Sequence, residues 1–320
     1  ENQSNPIIIY ESTVYPGVTE EICIPLIESN SGQKLNKDFF CGYSPERINP
    51  GDKKHTIDNI IKITSGFDNF SKKLTKKFYE KIIKKKLIKS VSQIRIAEMA
   101  KLLENSQRDI NIAFMNEILK ICEKLKIDFN ETFNAASTKW NFLKFTPGLV
   151  GGHCIGVDPY YLTHIAEEIG HSPKLITAGR RINDSMAIWF TQEIIKKISN
   201  LGLIIKDLEV LIMGFTFKEN CPDFRNTKVK DIYKELLCYG AKPIIFDAIL
   251  DSERIRKELN LNIIEEKNLY QKRYKVIIVT LEHEHFRNMK ISDWQELKFK
   301  DSLIFDLKGF IDKSLFPITF

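Results

Sequence analysis

The segment Gly148-Leu149-Val150-Gly151-Gly152-His153-Cys154-Ile155-Gly156-Val157-Asp158-Pro159 sets a single thiol among four glycines. Glycine lets a backbone pass close to a bulky ligand and adopt positive φ, so such a loop can carry Cys154 up to a substrate. An inert cysteine in apolar packing needs no run of glycines. A thiol just upstream of a helix start gains from the helix dipole, which favours the thiolate and makes it a nucleophile. Asp158 and Pro159 suit the N-cap and first position of that helix, and the same carboxylate could also assist proton movement. His153 invites a Cys-His pair or a metal site. Neighbours in an extended loop point to opposite sides, however, which argues against both.

Three further sets have the types and spacing for chemistry. Lys101, Asn105 and Arg108 lie at i, i+4 and i+7, so one helix face projects an ammonium, an amide and a guanidinium together. They read either as a holder of an alkoxide or oxyanion, or as a wet helix face. Glu46, in Ser44-Pro45-Glu46-Arg47, follows a strand-like run, where active-site residues of parallel sheets gather; a base and a surface turn are equal readings. Lys218 and Arg225 follow another apolar strand and could hold phosphates. The six cysteines show no CxxC pair and no regular spacing, so neither a disulfide framework nor a metal site is expected.

The elements that must position these residues alternate in type. Strands are expected over 5–10, 38–42 and 59–64, with a helix start near Pro16 and Thr19 and a lysine-rich amphipathic helix over 71–86. Ser90-Val91-Ser92-Gln93 reads as a capping-box start for a long helix reaching about residue 126. Helices follow over 130–137, 160–169 and 182–199. The last third has strands over 209–214, 242–247, 276–280 and 303–307, with a helix over 227–239. The fold class is therefore α/β: a partial N-terminal Rossmann-type sheet, a central long-helix domain and a C-terminal Rossmann-like parallel sheet. The expected domains are residues 1–90, 91–200 and 201–320.

The chain has 320 residues, 43% of them hydrophobic and 28% charged, an ordinary globular composition. The first residues carry no secretion signal, and no apolar run approaches the roughly 20 residues that span a bilayer, so a cytoplasmic protein without membrane partner is expected. Its 48 basic and 42 acidic residues leave a net charge of +6. The lysines cluster over 72–86 without arginine or aromatic interleaving, which suits a solvated helix face better than nucleic-acid binding.

With those residues in view, the chain resembles the UDP-glucose/GDP-mannose dehydrogenase family along essentially its full length. The motifs are Glu-Ser-Thr-Val-Tyr-Pro-Gly-Val-Thr at 11–19, Ser-Pro-Glu-Arg at 44–47, Ala97-Glu98 through Lys101 and Asn105 to Asn116-Glu117, residues 151–159, and Gly214 through Arg225. Thr138-Lys139-Trp140-Asn141-Phe142-Leu143-Lys144-Phe145 is similar to the branch acting on UDP-N-acetylglucosamine or UDP-N-acetylgalactosamine for bacterial surface polysaccharides. The resemblance implies an NAD domain, a dimerising helical centre and a UDP-gripping domain. It implies two NAD+ used in sequence to oxidise the sugar C6 hydroxyl to an acid, through a thiohemiacetal and a thioester on Cys154.

By the same resemblance Lys101 and Asn105 stabilise the oxyanion, Glu46 activates water with Thr13 holding it, and Asp158 moves protons. Gly151, Gly152, Lys139, Phe145 and Lys218 would meet substrate, and Ser12, Thr13, Glu46 and Arg225 the NAD. Lys139 stands where relatives present a partner-subunit arginine, and lysine cannot fork two hydrogen bonds; Lys308 likewise stands where many have arginine. No G-x-G-x-x-G occurs in the chain, so the cofactor half of the NAD domain is expected to be absent and this polypeptide to form little or no NADH. The alternatives are a non-catalytic sugar-nucleotide-binding or dimerisation piece and a UDP-glucose 6-dehydrogenase.

Overall fold

A computed structural model describes residues 5–48, 54–57 and 59–320. The chain forms two compact units, Glu1–Arg108 with Val157–Ile176, and Asp109–Gly156 with Thr177–Phe320. Among the described residues no helix is long and apolar enough to cross a membrane.

In the first unit, β1 (Ile7–Tyr10) leads through a wide helical turn at Val18–Cys23 into α1 (Ile24–Ser31). Then follow β2 (Phe40–Tyr43), β3 (Lys62–Gly66), α2 (Asn69–Glu80), β4 (Ile88–Ser90) and the start of α3 (Ile94–Leu125). The sheet order is β1-β2-β3-β4. β1 runs parallel to β2, with Tyr10 opposite Tyr43, so both strands end together. β2 and β3 are antiparallel, β3 and β4 parallel.

Asp68 starts α2 by accepting the Ser71 amide at 2.7 Å. Ser71, Thr75 and Tyr79, four residues apart, form its buried face. Two glycines let that face lie close on the sheet. A Cβ on Gly42 would sit 2.1 Å from the Thr75 hydroxyl, and one on Gly66 would sit 2.2 Å from the Lys72 backbone nitrogen.

α2 ends at Glu80, short of the expected 86, because the chain is drawn into β4 beside β3. The expected capping box at 90–93 is displaced for the same reason. Ser90 is a strand residue whose hydroxyl pairs with that of Thr64 at 2.8 Å, and the long helix begins at Ile94.

α5 (Asp158–Glu168) belongs to this unit; α4 (Phe129–Ala136) and most of α6 (Lys174–Asn200) belong to the second. β5 (Glu209–Met213), α7 (Val229–Cys238), β6 (Lys242–Phe246), α8 (Ser252–Leu259) and β7 (Ile263–Ile264) come next. The chain closes with α9 (Glu266–Leu269), β8 (Tyr274–Val279), α10 (Glu284–Arg287), α11 (Ile291–Leu297) and β9 (Lys298–Asp306). The region between β6 and β8 holds more structure than the sequence pattern suggested, because its elements are short and mostly polar outside.

The second sheet is entirely parallel, in the order β7-β6-β5-β8-β9. Val210, Ile212, Val276 and Ile278 bury one face, while Leu211, Met213, Ile277 and Val279 bury the other. Both faces are covered, which is why these strands read as continuous apolar runs rather than alternating ones. Strand order reverses between β5 and β8, so the loops leaving their C-terminal ends frame the crevice where open parallel sheets bind ligands.

Replacing Gly66 by alanine is expected to cost about 1–3 kcal/mol by forcing α2 off the sheet. Gly32→Ala, where φ is +71° and nothing lies within 4 Å of the added carbon, is expected to cost no more than about 1 kcal/mol. Thermal melts of the two variants check the order.

Candidate active site

In the first unit the paired ends of β1 and β2 deliver residues 11–13 and 44–47 side by side. The Ser44 amide donates to Tyr10 O at 2.9 Å and the Glu46 amide to Glu11 O at 3.2 Å. The buried Tyr43 hydroxyl donates to Ser12 O at 3.0 Å, and burial pushes its phenol up, reinforced by the charges of Glu98 and Asp158. Ser12 is exposed and Thr13 half-buried, its hydroxyl without a hydrogen-bond partner among the described residues. Glu46 is exposed, and its Oε1 accepts the amides of Arg47 at 2.7 Å and Ile48 at 2.6 Å. That local turn aims the carboxylate, while Arg47 is anchored to Glu104 at 2.8 Å. Behind the edge, Glu11 accepts from the buried Lys62 ammonium at 3.0 Å and from the Tyr79 hydroxyl.

α3 and α5 supply the second group of this unit. Glu98 accepts the Gly17 amide at 2.7 Å, the Thr19 amide at 3.1 Å and the Thr19 hydroxyl at 2.7 Å, tying the 16–19 turn to α3. One turn on, Lys101 is only 7% exposed yet makes no hydrogen bond or ion pair among the described residues. Asn105 donates its side-chain amide to Asp158. Asp158 is 2% exposed; burial raises its carboxyl, against the opposing pull of the Asn105 bond and the Lys101 charge. Two expectations are corrected here. Val157 is the N-cap of α5 and Asp158 its first helical residue, so this carboxylate serves a buried partner rather than the helix end. Arg108 is exposed and does not join Lys101 and Asn105, because α3 turns its outer side to solvent there.

In the second unit the Cys154 loop is held by a buried polar ladder. Asn116 grips Gly148 at both backbone groups, accepting its amide at 2.8 Å and donating to its carbonyl at 3.1 Å. Asn116 also donates to Asn183 at 2.8 Å, and Asn183 donates to Asp109 at 2.7 Å, with Arg180 paired to the same carboxylate. Further along, Gly151 and Gly152 pack directly on the Asn226 carbonyl and the Phe217 ring, where a Cβ would come within 2.6 Å of each. Residues 152–157 form consecutive turns, not an extended run, and Cys154 is exposed. The His153 ring lies 3.4 Å from Asp223. The Arg225 guanidinium also holds Asp223, at 2.7 Å, and its bonds keep that carboxyl down at about 2.

The loop after β5 starts at Gly214, whose φ of +96° and 2.9 Å approach to Leu281 exclude a side chain. Lys218 is half-buried and Arg225 exposed. Lys308, after β9, pairs with Glu219 at 2.8 Å; burial raises the Glu219 carboxyl, but the ammonium outweighs it and holds it below its ordinary value. Lys139 is exposed on the turn after α4, and Phe145 is half-buried.

The sequence reading missed the support beneath these side chains: Asp109, Asn183 and Arg180 in the ladder, Asp223, and the Asp247 and His283 pair described below. One signal was available, since Asp109 and Asn116 are polar residues seven apart on one face of a largely apolar helix.

Three stretches match the UDP-glucose/GDP-mannose dehydrogenase family: residues 1–83 its NAD binding domain, 95–185 its central domain and 211–313 its UDP binding domain. The chain is 49% identical over 302 residues to UDP-N-acetyl-D-glucosamine 6-dehydrogenase of Salmonella typhi, spanning 94% of this chain and 70% of that protein. It is 48% identical over 306 residues to Protein CapL of Staphylococcus aureus, spanning 96% and 71% respectively. The solved UDP-N-acetyl-mannosamine dehydrogenase Cap5O from S. aureus superposes with a TM-score of 0.78 at 29% identity, over 96% of this chain and 69% of that one. The match at residues 1–83 overturns the expectation of an absent cofactor half-domain: the NAD binding domain is represented in this chain.

Asn116→Ala leaves both backbone groups of Gly148 unanswered and is expected to cost about 1–3 kcal/mol in denaturant unfolding, with faster hydrogen exchange at the Gly148 amide. Asp158→Asn removes a group whose proton is held more tightly folded than unfolded. Its stabilising contribution is complete below the unfolded value of about 3.9 and is lost as pH rises through the higher folded one. The melting temperature of Asp158→Asn relative to the native chain is therefore expected to climb between pH 4.5 and pH 8.

Proposed function

The chain belongs to the UDP-glucose/GDP-mannose dehydrogenase family, and on that premise we propose that it oxidises the C6 hydroxyl of a UDP-N-acetylhexosamine to the carboxylate through a covalent bond to Cys154. The observation that carries the reading is Lys101, a buried ammonium without a bonded partner among the described residues, beside the Asn105–Asp158 pair, the environment an oxyanion needs. The half-buried Thr13 hydroxyl, without a partner among the described residues and at the ends of two parallel strands within the segment matched by the NAD binding domain, fits a cofactor contact. Ser12, Thr13 and Glu46 would hold the NAD, with Arg225 on the cofactor side; bound NAD+ supplies the hydride acceptor for both oxidations.

The protein's own groups do the rest. Lys101 and Asn105 stabilise the C6 alkoxide, and Asp158, kept ready for a proton by burial, accepts one. The Cys154 thiolate adds to the aldehyde carbon, forming a C–S bond and leaving an oxyanion that Lys101 neutralises. After the second oxidation the carbon is a thioester. Glu46 takes a proton from water, held by Thr13; the hydroxide adds to the carbonyl, the C–S bond breaks, and Cys154 leaves as thiolate with the acid released. Gly151 and Gly152 give the sugar backbone-close access, Lys218 meets the nucleotide, and Lys139 and Phe145 lie toward the sugar end.

Residues 1–90, 91–200 and 201–320 correspond on this reading to cofactor, central and nucleotide domains. The exposed Phe114, Ile121 and Leu125 on α3 support a homodimer through the central helix. The 49% identity to a UDP-N-acetyl-D-glucosamine enzyme, against 31–32% to UDP-N-acetyl-D-mannosamine dehydrogenases, favours the N-acetylglucosamine substrate.

NADH formation and product mass with UDP-N-acetylglucosamine, UDP-N-acetylgalactosamine and UDP-glucose test this. Cys154→Ser is expected to lower uronate formation by on the order of a hundredfold or more, and Lys101→Met to lower kcat about 10²–10³-fold. Undiminished acid from Cys154→Ser would sink the covalent route, and a higher kcat/KM for UDP-glucose the N-acetyl preference.

A further inference from the structure

The crevice at the reversal of the second sheet is braced by a pair outside the proposed machinery. His283, on the loop after β8, is 0% exposed, and Asp247, after β6, is 4% exposed. Asp247 accepts the Phe215 amide at 2.6 Å, the Thr216 amide at 3.2 Å and the Ile249 amide at 3.0 Å. The Asn220 amide donates to His283 Nδ1 at 2.9 Å. A nitrogen that accepts carries no proton, so this imidazole is neutral with its hydrogen on Nε2. Nε2 lies 3.3 Å from Asp247 Oδ2 and 3.2 Å from the Thr216 hydroxyl, which itself donates to Lys218 O at 2.8 Å. Asn220 has φ of +55°, and its side-chain oxygen accepts the Glu284 amide at 2.8 Å. Both ends of the 215–220 loop are thus fastened to one Asp–His unit, with Lys218 between them.

We infer that His283 is a positioning residue for nucleotide binding: its Nδ1 accepts the Asn220 amide and thereby sets the loop that presents Lys218, so affinity for the nucleotide depends on an acceptor at that position. The inference rests on the proposed contact of Lys218 with the nucleotide. The charged groups around the ring are Asp247 from the β6 end, Glu219 with its partner Lys308 from the segment after β9, and Glu284 and His285 on its own α10.

UDP binding by calorimetry, with amide exchange at Asn220, tests this on the native chain, His283→Asn, His283→Gln and Lys218→Met. Asparagine offers an oxygen near Nδ1, so His283→Asn is expected to hold UDP within about threefold of native. Its Asn220 amide is expected to exchange at a rate near native. Glutamine reaches toward Asp247 but leaves the Asn220 amide unanswered. His283→Gln is therefore expected to weaken UDP about tenfold and to speed Asn220 exchange. Equal affinities for His283→Asn and His283→Gln, or Asn220 exchange in His283→Gln as slow as in the native chain, overturn the inference. If His283→Gln fails to fold, Asn220 exchange in His283→Asn decides, and exchange much faster than native overturns the inference. Lys218→Met binding UDP like the native chain overturns the lysine contact, and Asn220 exchange then judges His283 separately.

Discussion

A buried amide with no water to turn to must find a partner in the protein, and that constraint organises the working loops of this chain. Asn116 meets it for Gly148 at both backbone groups, and is met in turn by Asn183 and, through it, by Asp109 and Arg180. The ladder is fully internal, so the loop leading to Cys154 has one low-energy path rather than several. Each rung is worth little by itself; the cost of leaving any rung open is what makes the arrangement specific.

The same reasoning, applied to charge, separates support from chemistry. Glu98 and Asp247 are buried carboxylates answered by several N–H and O–H donors, and their work is to hold turns. Burial raises the carboxyls of Asp158 and Glu98 alike, but Asp158 is answered by one amide and a nearby ammonium only. Lys101 is buried with no bonded partner at all among the described residues. A group left under-satisfied in this way is held ready for a ligand, and the stability forgone there is recovered by the satisfied groups around it.

The second sheet shows how topology selects where polar side chains emerge. Its apolar strands bury both faces, leaving the strand ends as the exits for polar side chains. Gly214, Asp247, Thr280 and Asp306 leave the C-terminal ends of β5, β6, β8 and β9, and the Asp306 carboxylate folds its own loop by accepting the amides of Lys308, Gly309 and Ile311. Lys218, Lys308 and Arg225 are thereby carried by loops whose own backbones are already satisfied.

Much of this was written in residue types. The parallel sheet was legible from unbroken apolar strands, the long helix from its period, and the thiol loop from its run of glycines, although the structure packs Gly151 and Gly152 on the Asn226 carbonyl and the Phe217 ring. The lysine-rich helix was legible in its amphipathic spacing but not in its end, since β4 competes for residues that local pattern assigns to the helix. Asp158 read as a helix cap because sequence shows only neighbours along the chain, whereas its hydrogen-bond partner, Asn105, stands fifty-three residues away. The sequence by itself determined which residues are able to do chemistry and which backbone segments are free to approach a ligand. Tertiary structure alone decided which of them lost water and gained partners, because burial and long-range hydrogen bonding arise only when separate segments pack together.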